Sequence, residues 1–223
     1  RAASRDGAAL RRLAMSLTYN QVVGRSLERI AALSDGVFAI AMTLIVLEIH
    51  VPDPGPIRTE EDLWTALLTL GPRLITYLLS FLTLGIFWNG QQTQLAIFSR
   101  TDRHLTWLQL AFLAAVALMP FSTSLLAEFI TFRLALVAYW FNIFLLGAVL
   151  YVAWIYAESR DLVDKDRAVT AAPLIKRRIY VAQALYALGA LLCVVDPLWS
   201  IGFIVLVQLN FAIAPRIPLL SRV

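Results

Sequence analysis

The stretch LERIAALSDGVFAIAMTLIVLEI, residues 27–49, decides the fold. A helix needs about 20 mostly apolar residues to cross about 30 Å of hydrocarbon. This run is long enough, and no charge interrupts it between Asp35 and Glu48. The loop VPDPGP, residues 51–56, follows, and its three prolines stop any helix. The reading is a membrane-spanning helix, and the rest of the 223-residue chain is written in the same style. Hydrophobic residues make up 60% of it and charged residues 15%, against roughly 45–50% and about 25% in soluble domains. That balance points to lipid as the solvent. It argues against a disordered chain, a secreted disulfide scaffold and a soluble nucleic-acid binder. The single cysteine, Cys193, forms neither an internal disulfide nor a Cys-based zinc site. His50 and His104 are too few for a multi-histidine haem bundle.

Outward from this stretch, the segment TEEDLWTALLTLGP (59–72) has Thr59 as a cap and acids in its first turn. It is short and amphipathic, which predicts an interfacial helix outside the hydrocarbon. The second span starts near Pro72 and runs through RLITYLLSFLTLGIFWNG toward Phe98. The third runs from about Leu105 to Ala127, with Pro120 predicted to kink it. The fourth covers about Phe132–Ala157 and the fifth about Leu174–Val195. A tight turn at Asp196-Pro197 leads into the sixth, about Leu198–Ala214. The expected fold class is therefore an all-α integral membrane protein with six transmembrane helices. Residues 1–24 read as a flexible basic segment with no signal-peptide apolar core, 25–214 as the six-helix domain, and 215–223 as a short tail.

Six spans put both termini on one side. Alternate connections hold all of the 19 Lys and Arg except Arg58, Arg73 and Arg133. Positive charge stays in the cytoplasm, so both termini are expected there, in a multi-pass plasma-membrane protein. The connection between the fourth and fifth spans, ESRDLVDKDRAVTAAPLIKRR, reads as a solvated connector whose Lys176, Arg177 and Arg178 can meet anionic lipid.

Polar groups inside hydrocarbon are costly and tend to mark function. Asp35 lies six residues past Arg29, about 9 Å deeper and about 600° round the helix. The two do not share a face, so partners must come from other helices. Trp88, Asn89, Gln91 and Gln92, and beyond them Asp102, Arg103 and His104, are the candidates. Such a set fits a network that fastens helices together, and it also fits a direct ion or proton role. On another face, Gly36, Ile40, Thr43, Leu44 and Leu47 follow i, i+4, i+7, i+8, i+11. Periodicity alone reads this stripe as packing, with Thr43 bonding its own backbone. No nucleophile elbow, zinc-protease motif, nucleotide-binding glycine loop or TVGYG filter occurs. No enzyme and no cofactor are expected.

The run Arg29-Ile-Ala-Ala-Leu33-Ser34-Asp35, continuing into GVFAIAMTLIVLEIHVP, resembles the R-x-x-x-F-S-D signature of the transmembrane protein 175 family. These are the endosomal and lysosomal potassium channels and their prokaryotic relatives. FLTLGIFWNGQQ in the second span and LTWLQLAFLAAVALMPFSTSL in the third extend the match. The signature phenylalanine is Leu33 here, which keeps an apolar contact without the ring. Gln91 stands where many relatives carry a histidine.

The resemblance implies a homotetramer in a prokaryotic membrane, with the first helix of each subunit lining a potassium-preferring pore. It implies permeating K+ rather than a bound cofactor, and neither a nucleic-acid partner nor a soluble substrate. Ile40 would form the constriction, Leu44 and Leu47 further apolar rings, and Thr43 a hydroxyl ring. Arg29, Ser34, Asp35, Trp88 and Gln91 would hold the helices behind the pore, and Glu48 would sit at the outer mouth. A proton-coupled or other secondary transporter is the competing class, with Pro120 and Arg73 as its slight support. A membrane enzyme or a non-conducting scaffold is the third.

Overall fold

The computed structural model describes residues 27–213, and the expectations for Arg25, for residues 1–24 and for the tail 215–223 fall outside them. The described chain is all-helical: α1 Leu27–Leu44, α2 Glu60–Thr69, α3 Gly71–Leu95, α4 Arg103–Ala117, α5 Met119–Glu128, α6 Arg133–Ser159, α7 Lys165–Leu191 and α8 Pro197–Ile213. The apolar stretch that opened the argument forms α1 and then tightens into a 3-10 turn over Ile45–Glu48. Among the described residues, five segments are long and apolar enough to cross a membrane: α1 with its 3-10 turn, α3, α4 and α5 together, α6, and α7 with the 3-10 turn Leu192–Val194. The sixth, α8, has 17 residues, or about 26 Å at 1.5 Å per residue.

Local chemistry explains the ends. Thr59 caps α2 as expected, in a reciprocal box with Asp62. The N–H groups of Arg58 and Thr59 bond the Asp62 carboxylate and hold it below its ordinary range. None of α2 is buried, in keeping with a surface helix. Pro120 does more than kink the third span. α4 stops at Ala117 and α5 restarts at Met119, because the proline has no N–H to continue the ladder.

The fifth span, α7, departs most from expectation. It begins at Lys165, nine residues before Leu174, so residues 165–178 of the supposed connector are its first turns. Asp164 caps it by accepting the N–H groups of Asp166 and Arg167. Pro173 lies inside. Hydropathy marks only the part of a helix that lies in lipid, and this one extends beyond it.

α6 is the central pillar, packed on α3, α4, α5 and α7. Leu136, Tyr139, Ile143 and Leu146 along it are wholly buried. Lipid offers no hydrophobic drive between helices, so close packing and interhelical hydrogen bonds hold them. Thr123 donates to Ser80 at 2.7 Å, Ser80 to the Tyr139 hydroxyl at 3.2 Å, and Gln208 to Thr83. That chain ties α5, α3, α6 and α8 together. Small residues permit close approach. A Cβ at Gly189 would lie 2.7 Å from Ile204, and one at Gly147 1.7 Å from Gln183.

The two ends of the bundle differ in charge. One carries Arg100, Arg160, Lys165 and Lys176. There Ser99 donates to the Leu162 carbonyl at 2.9 Å, and Asp164 to the Ile97 carbonyl at 2.8 Å. The start of α1 packs at this end, with Ile30 among Leu95, Phe98 and Val163. Phe211 near the end of α8 meets Arg178 there, so both ends of the described chain share one side. At the opposite end Arg73 pairs with Glu128 at 2.9 Å and approaches the His50 ring at 3.4 Å.

Candidate functional site

α1 shows two faces with different fates. Ile30, Ser34, Phe38 and Ala41, with Ile45 just beyond, are buried. They recur at i, i+4, i+8, i+11 and i+15, and this face packs on α3 and α4. The stripe of Gly36, Ile40, Thr43, Leu44 and Leu47 is exposed. Ile40 is 60% exposed and Leu47 65%. Leu33, at the signature position, belongs to the same uncovered face. Within one chain, then, the stripe is not packing, contrary to what periodicity alone suggested. The Thr43 hydroxyl donates to the Ile40 carbonyl at 2.8 Å, as its sequence position allowed.

A polar anchor joins α1 to its neighbours. Ser34 is fully buried and donates back to the Ile30 carbonyl at 2.8 Å. Gln91, also fully buried, donates to the Ser34 hydroxyl at 3.0 Å and to Gln109 Oε1 at 2.8 Å. These bonds link α1, α3 and α4 through side chains shielded from lipid. The Asp35 carboxylate is exposed on the flank of α1, five residues or about 140° round from Ile40. Its Oδ1 accepts from Trp88 Nε1 and from Gln92 Nε2, each at 2.8 Å.

Of the candidate residues, Ser34 is thus brought to Gln91, and Asp35 to Trp88 and to Gln92 from the wider set. Gln109 was not anticipated. Its only signal was a lone amide in the apolar run LTWLQLAF, and nothing in the sequence pairs it with Gln91. Arg29 is exposed on the first turn of α1. Asp102 and His104 belong elsewhere. Asp102 caps α4 and accepts from the Tyr156 hydroxyl at 2.6 Å, and His104 packs beside the Tyr156 ring. Glu48 closes the 3-10 turn, where His50 Nδ1 lies 3.1 Å from its carbonyl oxygen.

An apolar exposed stripe suits lipid, but an exposed carboxylate with an indole N–H and a carboxamide does not. The α1–α3 flank therefore needs water or another protein surface against it.

The sequence model of the family described as "Endosomal/lysosomal potassium channel TMEM175" matches residues 29–120. A potassium channel of Chamaesiphon minutus is 32% identical over 189 residues, 83% of this chain and 93% of its own length. A potassium channel of Streptomyces collinus is 43% identical over 103 residues, 46% of this chain and 48% of that one. The human endosomal/lysosomal proton channel TMEM175 is 37% identical over 111 residues, 22% of its length. The crystal structure of a lysosomal potassium-selective channel TMEM175 homolog from Chamaesiphon minutus superposes with a TM-score of 0.73 at 30% identity. That match covers 84% of this chain and 97% of the other. These relatives are ion channels, not enzymes.

Proposed function

This chain belongs to the TMEM175 family of membrane ion channels, and from that premise we propose that four copies assemble around a potassium-preferring pore lined by α1. The single observation carrying this reading is the uncovered stripe of Ile40, Leu44 and Leu47 beside an exposed, hydrogen-bonded Asp35. A ring of subunits gives the stripe an aqueous axis to face and gives the Asp35 flank a neighbouring protein surface.

Apolar side chains cannot replace an ion's hydration water, so a ring of Ile40 acts as a dewetting barrier. An ion must shed part of its shell to pass. Potassium holds water less tightly than sodium and crosses at lower cost. Thr43, one turn from Ile40, supplies hydroxyls or carbonyl oxygens that offset part of that loss. Glu48 and Asp53 lie past the apolar section and concentrate cations near the mouth. Arg29, Ser34, Asp35, Trp88 and Gln91 hold the pore helix in position rather than touching ions. The basic end of the bundle faces the cytoplasm of a prokaryotic cell, with residues 25–214 forming the conducting domain.

The test is ion flux from proteoliposomes. Replacing Ile40 by Asn should wet the constriction and raise K+ flux several-fold, while size-exclusion behaviour stays that of the parent. Unchanged flux from a correctly assembled variant would remove Ile40 from the pore. Flux that saturates with ion concentration at low turnover, coupled to a proton gradient, would favour the transporter reading instead.

A further inference from the structure

Away from α1, a cavity of about 390 Å³ opens between the basic-end half of α3 and helices α6 and α7. That volume lies in the range of small-molecule sites. Its walls are mostly apolar, with Ile86, Gly90, Leu150 and Leu174 among them. Five polar groups interrupt the lining: Thr93, Gln94, Gln183, Tyr186 and Arg178.

Three of these carry atoms left without a partner among the described residues. Gln94 donates its amide to the Leu150 carbonyl at 3.2 Å, and Gln183 donates to the Ile143 carbonyl at 3.4 Å. Those bonds fix each amide's orientation and leave both Oε1 atoms buried and unpaired. The Tyr186 hydroxyl is buried and unpaired as well, and Gln94 and Tyr186 are each only 1% exposed. Such atoms are costly unless an occupant or water satisfies them. Arg178 lies over the Phe211 ring. It forms no ion pair with a carboxylate among the described residues, whereas neighbouring Lys176 is matched by Glu158 at 2.6 Å.

The groups are ordered by depth. Lys176 and Glu158 mark the basic end. Tyr186 lies eight residues beyond Arg178, about 12 Å along α7. The cavity therefore has a cation at headgroup level, amide oxygens, and an apolar interior.

We propose that this cavity binds one anionic glycerophospholipid with a hydroxylated headgroup, of the phosphatidylglycerol type. Its phosphate accepts from Arg178, its hydroxylated headgroup stays at the basic end, and one acyl chain passes the amides into the apolar part. The basic end of the bundle supplies the charge complementarity. Gly90 and Gln94 face this cavity on α3, while Gln91 on the same helix holds Ser34 of α1. Occupancy thus bears on the helix that positions α1.

The test uses the purified full chain, delipidated in neutral detergent and titrated with dioleoyl-phosphatidylglycerol or dioleoyl-phosphatidylcholine. Native mass spectrometry counts bound lipid, and thermal melting reports stabilisation. Phosphatidylglycerol should bind at one per subunit and raise the melting temperature, with phosphatidylcholine about tenfold weaker. Arg178→Gln should weaken phosphatidylglycerol about tenfold. Arg177→Gln, on the exposed face of α7, should leave binding intact. Gly90→Leu should abolish binding by filling the cavity. A Cβ there meets only Leu150 at 3.6 Å, an ordinary contact, and Ala171→Leu gives the same readout if Gly90→Leu fails to assemble. Equal binding of the two lipids, equal loss in Arg177→Gln and Arg178→Gln, or full binding in the cavity-filled variants would each overturn the site.

Discussion

The indole Nε1 of Trp88 stands 2.8 Å from Oδ1 of Asp35, and Gln92 reaches the same oxygen at the same distance. Both donors come from α3, so one carboxylate on α1 gathers two groups from its neighbour. Replacing Asp35 by Ala strands both donors. A hydrogen bond to a charged group contributes about 1.5–3 kcal/mol, so the variant should melt earlier and assemble less well. Melting and size-exclusion profiles identical to the parent would show that the contact does not fasten the helices.

Thr43 tests selectivity separately from conduction. Thr43→Ala removes a hydroxyl whose bond among the described residues is to the Ile40 carbonyl of its own helix, so the fold should be unaffected. The reversal potential between K+ and Na+ solutions should move toward zero, with a smaller change in total current. A reversal potential equal to that of the parent would exclude Thr43 from ion discrimination.

Gln91 donates both to Ser34 and to Gln109 within a dry interface. Gln91→Leu keeps roughly the volume but leaves the Gln109 carbonyl oxygen buried without a donor. An orphaned buried polar group costs about 1–3 kcal/mol. The measurement is denaturation in mild detergent, repeated in a Gln109→Leu background. The double variant should recover much of the loss, and failure to recover would place the cost elsewhere.

Gly147 offers a steric test. A Cβ there would fall 1.7 Å from Gln183 Nε2 and 2.4 Å from its Cδ. Gly147→Ala therefore displaces the Gln183 side chain and its bond to Ile143, at about 1 kcal/mol. In a Gln183→Ala background the same change should be nearly neutral. Additive losses across this cycle would mean that the glycine is needed for some other contact.

Much of this fold is readable from hydropathy alone, because lipid demands long apolar runs and prolines and charges mark their ends. α1, α3 and α6 begin and end close to where Pro52, Pro72 and the flanking charges put them. The membrane part of α7 was legible, but its start escaped because its first turns, KDRAVTAAP, are polar and contain Pro173. Such a stretch is helical only because Asp164 caps it and Ala168 and Ala172 pack inward. In the site, the two faces of α1 were legible as a periodicity. Which face stays uncovered was not, since Ile40 and Ile45 are chemically alike and differ only in what surrounds them. Gln109 was invisible for a related reason: a buried amide declares its partner only in three dimensions.

The clip at the basic end has a mechanical consequence. Ser99 and Asp164 stitch the chain just past α3 to the short turn between α6 and α7, and Arg167 adds a bond to the Ala96 carbonyl. α3 cannot swing there without dragging the root of α7. The helix tethered there to the root of α7 is the one whose indole and amides bond the helix bearing Ile40.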